Sequence, residues 1–375
     1  MMRTIDQDGG LKVYIERLVE NMLRLDPDGA YTLIYRTPKH LGRFAGAANA
    51  TELLVTAPHK LLWDQISVPY TAWRRRCDII FNPKFSVPFV SHCPVAMSLR
   101  EPAWWAWPEH YPGWNARFMR LTIPAYVARS SVLFPISQFV HDECRKYLRL
   151  EGKRVIVGYP APDARFRPVD DVAEMERARR QYGLPERFIL GAARVEHPGI
   201  EETDAFFPGK NVETTVRAYN LCRERIPHRL VLAGRRVRDY LLHVGLSETE
   251  IEGITFLDFV PHQDMVLLHN LAEMAVLPSY YESFAHFLVE AMCCGTPVVA
   301  SRTGACPEIS GGAALLADPD DPSDFADKML QIATDSALSD DLSGRGLKRA
   351  AEFSWARTAR TILQGLYAAT GRTFA

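Results

Sequence analysis

The chain has 375 residues, 47% hydrophobic and 24% charged, enough for two globular domains that each bury a core. No apolar run approaches the roughly 20 residues of a spanning helix, and no charged-then-apolar N-terminus reads as a signal peptide. The net charge of −1 hides an asymmetry: residues 1–155 carry 21 Lys/Arg against 14 Asp/Glu (+7), and residues 156–375 carry 23 against 31 (−8). A basic first half fits contact with an anionic membrane surface or acceptor, and ordinary surface variation fits it equally well. The seven cysteines (77, 93, 144, 222, 293, 294, 306) are odd in number and form no Cys-x-x-Cys pair. That pattern predicts reduced thiols in the cytoplasm rather than disulfides or zinc.

Asp6 to Leu11 leads directly into an amphipathic helix, about Lys12 to Leu25, with Val13, Leu18, Met22 and Leu25 on one side. An α/β domain normally opens with a buried strand, and only Met1 to Ile5 is available for it. Either that strand is very short or the true start lies upstream, and the second is favoured. Gly9-Gly10 taken alone is a turn. Tyr31 to Tyr35 and Glu52 to Val55 read as strands, about 61–73 as a helix ending in Arg74-Arg75-Arg76, and Asp78 to Pro83 as a buried strand with its turn. Pro94 to Glu101 follows, ending in Arg100-Glu101. Trp104, Trp105, Trp107 and Trp114 then fall within eleven residues. They suit a sugar-stacking or membrane-interface loop, and equally a surface loop whose rings fill a local core.

From Ser131 a strand is expected that ends in Ser137, with Ser137 the cap of the helix that follows. His141-Asp142 lies beyond that cap and reads as helix surface rather than an acid/base pair. Residues Gly158 to Pro168, with Pro160, Pro162 and Pro168, read as a linker. Arg187 to Glu196, Arg229 to Ala233 and Ile254 to Val260 are strands of a second α/β domain. Met274 to Leu277 is a buried strand ending in a Pro/Ser turn; a helix starts near Ser283 to Ala285, stops at Gly295, and hands over to a strand at Val298 to Ala300. In such βαβ units ligands sit at the carboxyl ends of strands, where a helix N-terminus favours an anion. Glu282 lies in the turn and Glu290 eight residues later on the helix. Two glutamates there suit hydroxyl groups, with backbone amides left for a phosphate. Helices at 324–333, 337–352 and about 356–369 complete the chain.

Glu282 and Glu290 at this spacing, followed by Ala291-Met292 and Gly295-Thr296-Pro297-Val298-Val299-Ala300-Ser301, resemble the signature of the retaining glycosyltransferases of family 4. The likeness extends to Gly304-Ala305-Cys306-Pro307-Glu308 and to 314–319, and is strongest from 187 to 320. It implies a GT-B fold, two Rossmann-like α/β domains facing across a cleft: residues 1–160 on the acceptor side, joined by the helix of 356–375, and 161–355 binding the nucleotide sugar. Gly9-Gly10 resembles the family's first glycine loop. Relatives carry a Lys-Asn soon after the strand that ends at Arg194; here Lys210-Asn211 arrives late, and Pro-Gly at 198–199 and 208–209 brackets an insertion, 197–209, that suits a mobile lid. Arg100-Glu101 stands where relatives usually have His-Asp, a departure on the acceptor side shared with Trp104 and Trp105.

The resemblance assigns Arg194 and Lys210 to the donor diphosphate, aided by amides around Ser283, Phe284, Ala285, His286 and Phe287. It gives Glu290 to the ribose, Glu282 to the sugar and the backbone of Val260 to the base. What it implies is a cytoplasmic enzyme, peripheral at the inner membrane face, needing no metal or other cofactor. The enzyme would move a hexose from a GDP- or UDP-linked donor, with mannose favoured, to a glycan or lipid-linked hydroxyl in surface polysaccharide synthesis. A non-catalytic sugar-nucleotide-binding protein and a synthase acting on a small soluble sugar are the alternatives. No dinucleotide fingerprint, Gly-Lys-Ser/Thr phosphate loop, Asp-x-Asp, His-Glu-x-x-His or nucleic-acid motif is present.

Overall fold

The computed structural model describes residues 1, 2, 5, 10–106, 113–192 and 208–374. They divide into two compact units, Met1–Pro160 with Ser354–Ala375, and Ala161–Phe353.

The first unit holds two parallel sheets. One pairs β1 (Tyr31–Tyr35) with β2 (Ala50–Leu54). The other runs β3 (Ile80–Asn82), β4 (Val95–Leu99), β5 (Val132–Pro135) and β6 (Arg154–Val155) in that spatial order. All five residues of β4 and all four of β5 are buried, the continuous apolar run of a parallel strand. Met1 and Met2 bond to one strand of each sheet: the terminal amine donates to Phe81 O at 2.8 Å and the Met2 amide to Ile34 O at 2.9 Å. The expected opening helix spans Gly10–Leu25, and its buried residues Tyr14, Ile15, Leu18, Val19 and Met22 follow the helical period. Tyr14 meets Trp355 edge-on at 5.7 Å, which docks the returning helix Trp355–Ala369. Gly365 lets that helix approach β5; a Cβ there would stand 2.7 Å from the Phe134 ring.

The helix expected over 61–73 runs from Lys60 to Arg74 with one π turn, Trp63–Ser67, in its middle. Pro69 has no N–H to close the ordinary α turn, and Val68 N–H reaches back to Trp63 O instead. Ser137 caps its helix as expected, accepting from Val140 N at 3.1 Å. Among the described residues no helix is long and apolar enough to cross a membrane. All seven cysteines are free thiols.

The second unit is one six-stranded parallel sheet. It comprises β7 (Phe188–Ala192), β8 (Arg229–Ala233), β9 (Thr255–Leu257), β10 (Met274–Leu277), β11 (Val298–Ser301) and β12 (Leu315–Ala317). Their spatial order is β12-β11-β10-β7-β8-β9, all neighbours parallel. The chain winds outward from β7 through β8 to β9, then returns to build β10 to β12 on β7's other edge. The order therefore reverses between β7 and β10, and the crevice outside the carboxyl ends of those strands is where such sheets take ligands. Asp321 and Asp335 cap the helices Pro322–Thr334 and Ser336–Ala350.

Candidate active site

The loop after β10 carries the organising residues. Asn211, buried and in the left-handed region at φ 50°, opens the helix Val212–Cys222 and ties three loops together. Its Nδ2 donates to Pro278 O at 2.9 Å and Pro319 O at 2.8 Å, while its Oδ1 accepts from Thr214 Oγ1 at 2.8 Å. Tyr280 N donates to Gly209 O at 2.8 Å. With the loop so held, Lys210 Nζ reaches Glu282 Oε1 at 2.6 Å, and buried Ser279 donates its hydroxyl to the same oxygen at 2.8 Å.

Glu282 is gripped from the other side too. Its carbonyl accepts from Ala305 N at 2.8 Å, and Gly304, at φ +63°, passes so close that a Cβ would lie 2.7 Å from the Glu282 nitrogen. Thr303 Oγ1 donates to Tyr280 O at 3.0 Å. Gly304 is thus required twice, by its dihedral angle and by the close approach.

Ala285 precedes the helix His286–Cys293 at φ 60° and ψ 58°, and no side chain caps this helix start. An alanine in the left-handed region costs about 1 kcal/mol. It also brings no side-chain oxygen to compete for the first-turn amides, which point toward the same end of the sheet as Glu282. Glu290, on the second turn, is only 11% exposed at its side chain and meets His262 Nε2 at 2.9 Å through Oε1. That bond raises the His262 pKa above its ordinary value, against the opposing effect of burial. His262 opens the helix His262–Leu271 directly after Val260 and Pro261. Val260 and Phe287 pack on one apolar cluster. Beneath them His269 is buried between Phe287 at 4.8 Å and Phe166 at 5.9 Å, and burial pushes its pKa down to about 3.

Lys210, Glu282, Ser283 to Phe287, Glu290 and Val260 therefore gather at the carboxyl end of the second unit's sheet. Arg194 and Gly9 lie outside the described residues, as does most of the insertion expected at 197–209; Gly10 is the first residue of its helix. Arg100 and Glu101 belong to the first unit, just past β4, with the Arg100 guanidinium 4.8 Å above the Tyr14 ring. Trp104 packs edge-on to Phe85 at 5.3 Å and Trp105 stacks on the exposed ring of Tyr147 at 5.9 Å. His141 and Asp142 pair on their helix at 2.8 Å, with Asp142 exposed. Sequence reasoning missed His262 and Ser279. Ser279 is legible as a hydroxyl in the strand-end turn, whereas nothing in the order of residues brings His262 to Glu290.

The sequence matches the family described as Glycosyl transferases group 1 over residues 203–349, a span that holds Lys210, Glu282 and Glu290. This likeness to the glycosyl transferases group 1 lies within the second unit. It is similar to the serotype-specific mannosyltransferase WbdA of Escherichia coli, 30% identical over 261 residues, covering 67% of this chain and 30% of that protein. The O-antigen chain mannosyltransferase B of the same organism is 29% identical over 261 residues, covering 68% of this chain and 65% of that protein. The match thus spans less than two thirds of each of these relatives. A D-inositol 3-phosphate glycosyltransferase of Corynebacterium efficiens is 32% identical over 229 residues, 57% of this chain and 50% of that one.

In three dimensions this chain resembles a glycosyltransferase of Rickettsia africae, TM-score 0.74 at 12% identity over 94% of both chains. It also resembles Anabaena HepE crystallised with UDP-glucose, TM-score 0.70 at 18% identity, covering 96% of this chain and 97% of that one. The fold is GT-B, as expected from the sequence.

Proposed function

We propose that this chain is a retaining glycosyltransferase of family 4 that moves a hexose from a nucleotide-diphosphate donor to a hydroxyl of a glycan or lipid-linked acceptor. One observation carries the reading: Lys210 and Ser279 converge on Glu282 at the switch point of the sheet, one helix turn before an uncapped helix start. An anion at that start, with an ammonium beside it, needs no metal to offset its charge. In this reading the donor diphosphate lies against the first-turn amides and takes Lys210 as its counter-ion, with Arg194 as a second cation. Glu290, held by His262, accepts from the ribose hydroxyls, and Val260 offers backbone groups to the base.

Glu282 accepts from hydroxyls of the sugar and opposes the positive charge that develops at its anomeric carbon. The acceptor oxygen bonds to that carbon on the face from which the phosphate departs, the carbon–oxygen bond to phosphate breaks, and a phosphate oxygen takes the acceptor proton. Arg100 and Glu101 are assigned to the acceptor side. Mannose from a GDP donor, in surface polysaccharide assembly, is the favoured substrate and setting, supported by the two mannosyltransferases among its relatives. Anabaena HepE, crystallised with UDP-glucose, supports a UDP-linked donor as the second choice.

Radiolabelled transfer and donor binding measured on two variants test the assignment. Glu290→Ala is expected to weaken donor binding roughly tenfold to a hundredfold, the loss of one or two hydrogen bonds to a charged group. Lys210→Ala is expected chiefly to slow transfer, by roughly a hundredfold or more. Wild-type affinity and rate in both variants would remove the site.

A further inference from the structure

The carboxylate of Glu290 is nearly buried, and among the described residues it has one polar partner, His262. Glu282, by contrast, is held by Ser279 and by a lysine, whose charge is permanent near neutral pH. An imidazole gains or loses its charge in that range. His262 is also the more open of its pair, with 43% of its side chain exposed, so protons reach it from solvent.

The groups around His262 leave Glu290 as its main partner. From the segment that enters the second unit, the Phe166 ring packs on the imidazole at 4.9 Å. Asp163 is buried nearby, but its carboxylate is taken by Arg165, which donates Nε to Oδ1 at 2.9 Å and its amide to the same oxygen at 3.0 Å. On the histidine's own helix, Asp264 accepts from the Tyr182 hydroxyl, and His269 is buried and neutral. Cys293 and Cys294 follow Glu290 on its helix, and burial pushes both thiols up to about 12, so neither carries charge.

With Oε1 taken by His262, the carboxylate is fixed in rotation and Oε2 is left to accept from a ligand hydroxyl. We propose, on the reading that gives Glu290 to the ribose, that His262 positions this carboxylate and that the donor enters together with a proton carried by the imidazole. A charged imidazole makes the stronger, charge-assisted bond to Glu290 and adds a positive charge where a dianionic diphosphate is received. The neutral ring keeps the bond only in the tautomer with hydrogen on Nε2, and adds no charge. Donor affinity is therefore highest with His262 protonated and falls as pH rises through its raised pKa. By linkage, donor binding draws a proton onto the ring.

Calorimetric titration of the full chain with GDP-mannose and with UDP-glucose tests this, at about pH 6 and about pH 8.5 and in two buffers of unlike ionisation heat. Neither probe titrates near neutral pH itself. For the donor that binds, the wild type is expected to lose roughly threefold to tenfold in affinity toward the higher pH, and to take up part of a proton on binding. His262→Gln keeps an amide donor for Glu290 but carries no charge. It is expected to bind with one affinity across the range, near the wild type's upper-pH value, and to take up no proton. A merely structural role would lower affinity equally at every pH.

A wild-type affinity that is flat with pH overturns the inference, as does a slope that persists in His262→Gln. Glu290→Ala separates this from the site itself: donor binding at wild-type strength in that variant removes the ribose reading. Weak binding there, with the wild-type slope kept in His262→Gln, removes the role of His262 alone. Should His262→Gln melt early, ring-proton resonances of the wild type decide. One histidine of the eleven is expected to titrate at higher pH with donor bound, and eleven unmoved curves count against the proposal.

Discussion

Glu282 and Glu290 are eight residues apart yet hold different partners, an ammonium and an imidazole, each at hydrogen-bond distance. The imidazole makes the second of these dependent on pH. His262 faces Glu290 and Asp163, which favour its proton, and Arg165 and the neutral His269, which do not add to it. A histidine whose pKa is raised in the folded protein stabilises it fully below the unfolded value and loses that contribution as pH rises through the raised one. The unfolding midpoint of His262→Gln is therefore expected to trail the wild type most below about pH 6.5 and to approach it as pH rises through the raised value. A gap that stays constant with pH would mean the imidazole never carries the charge. His269 behaves oppositely. Its folded pKa of about 3 lies below the unfolded 6.5, so unfolding takes up a proton and stability falls as pH drops through 6.5. At about pH 5 this costs roughly 2 kcal/mol. His269→Leu should flatten that acid limb, and chemical denaturation near pH 5 and near pH 8 measures it.

The elements show where sequence and structure part company. The βαβ unit at 274–301 is legible because an apolar strand, a Pro/Ser turn and a terminating glycine each leave a local mark. Gly295 duly sits past the helix end at φ +77°. The π turn at 63–67 leaves none, since its cause is the absent N–H of Pro69 one turn away. Nor does the left-handed Ala285, an ordinary helix former whose conformation is imposed by the loop around it. Gly304 belongs to a motif visible in sequence, but its reason is the backbone of Glu282, twenty-odd residues earlier in the chain. Gly304→Ala is expected to displace Glu282 and abolish donor binding while the sheet still folds, which calorimetry and circular dichroism read together. Gly365→Ala should act elsewhere. It forces a methyl into the Phe134 ring, and overpacking of that kind costs about 1–3 kcal/mol. An unchanged melting temperature in Gly365→Ala would mean the helix Trp355–Ala369 yields easily.

Taken as a whole, the molecule combines one unit whose strand order reverses between β7 and β10 with another that carries an outward apolar and basic face. The sequence-level signs of these were unequal. The crevice was marked by glutamates at helical spacing, whereas the apolar face hid in a stretch that simply read as a helix, because periodicity names a helix's two sides without saying which is covered. The excess of basic residues over 1–155 and the tryptophans of 104–114 were its traces. The likeness to the glycosyl transferases group 1 lies in the second unit, and the proposed chemistry rests on that unit binding a nucleotide diphosphate. Calorimetric titration of the purified chain with GDP, UDP and ADP in turn, with EDTA present, tests this directly. Selective binding of one nucleotide, weakened in Glu290→Ala, is the predicted result. Folded protein that binds none of the three, or that binds only once a divalent metal is restored, would contradict it.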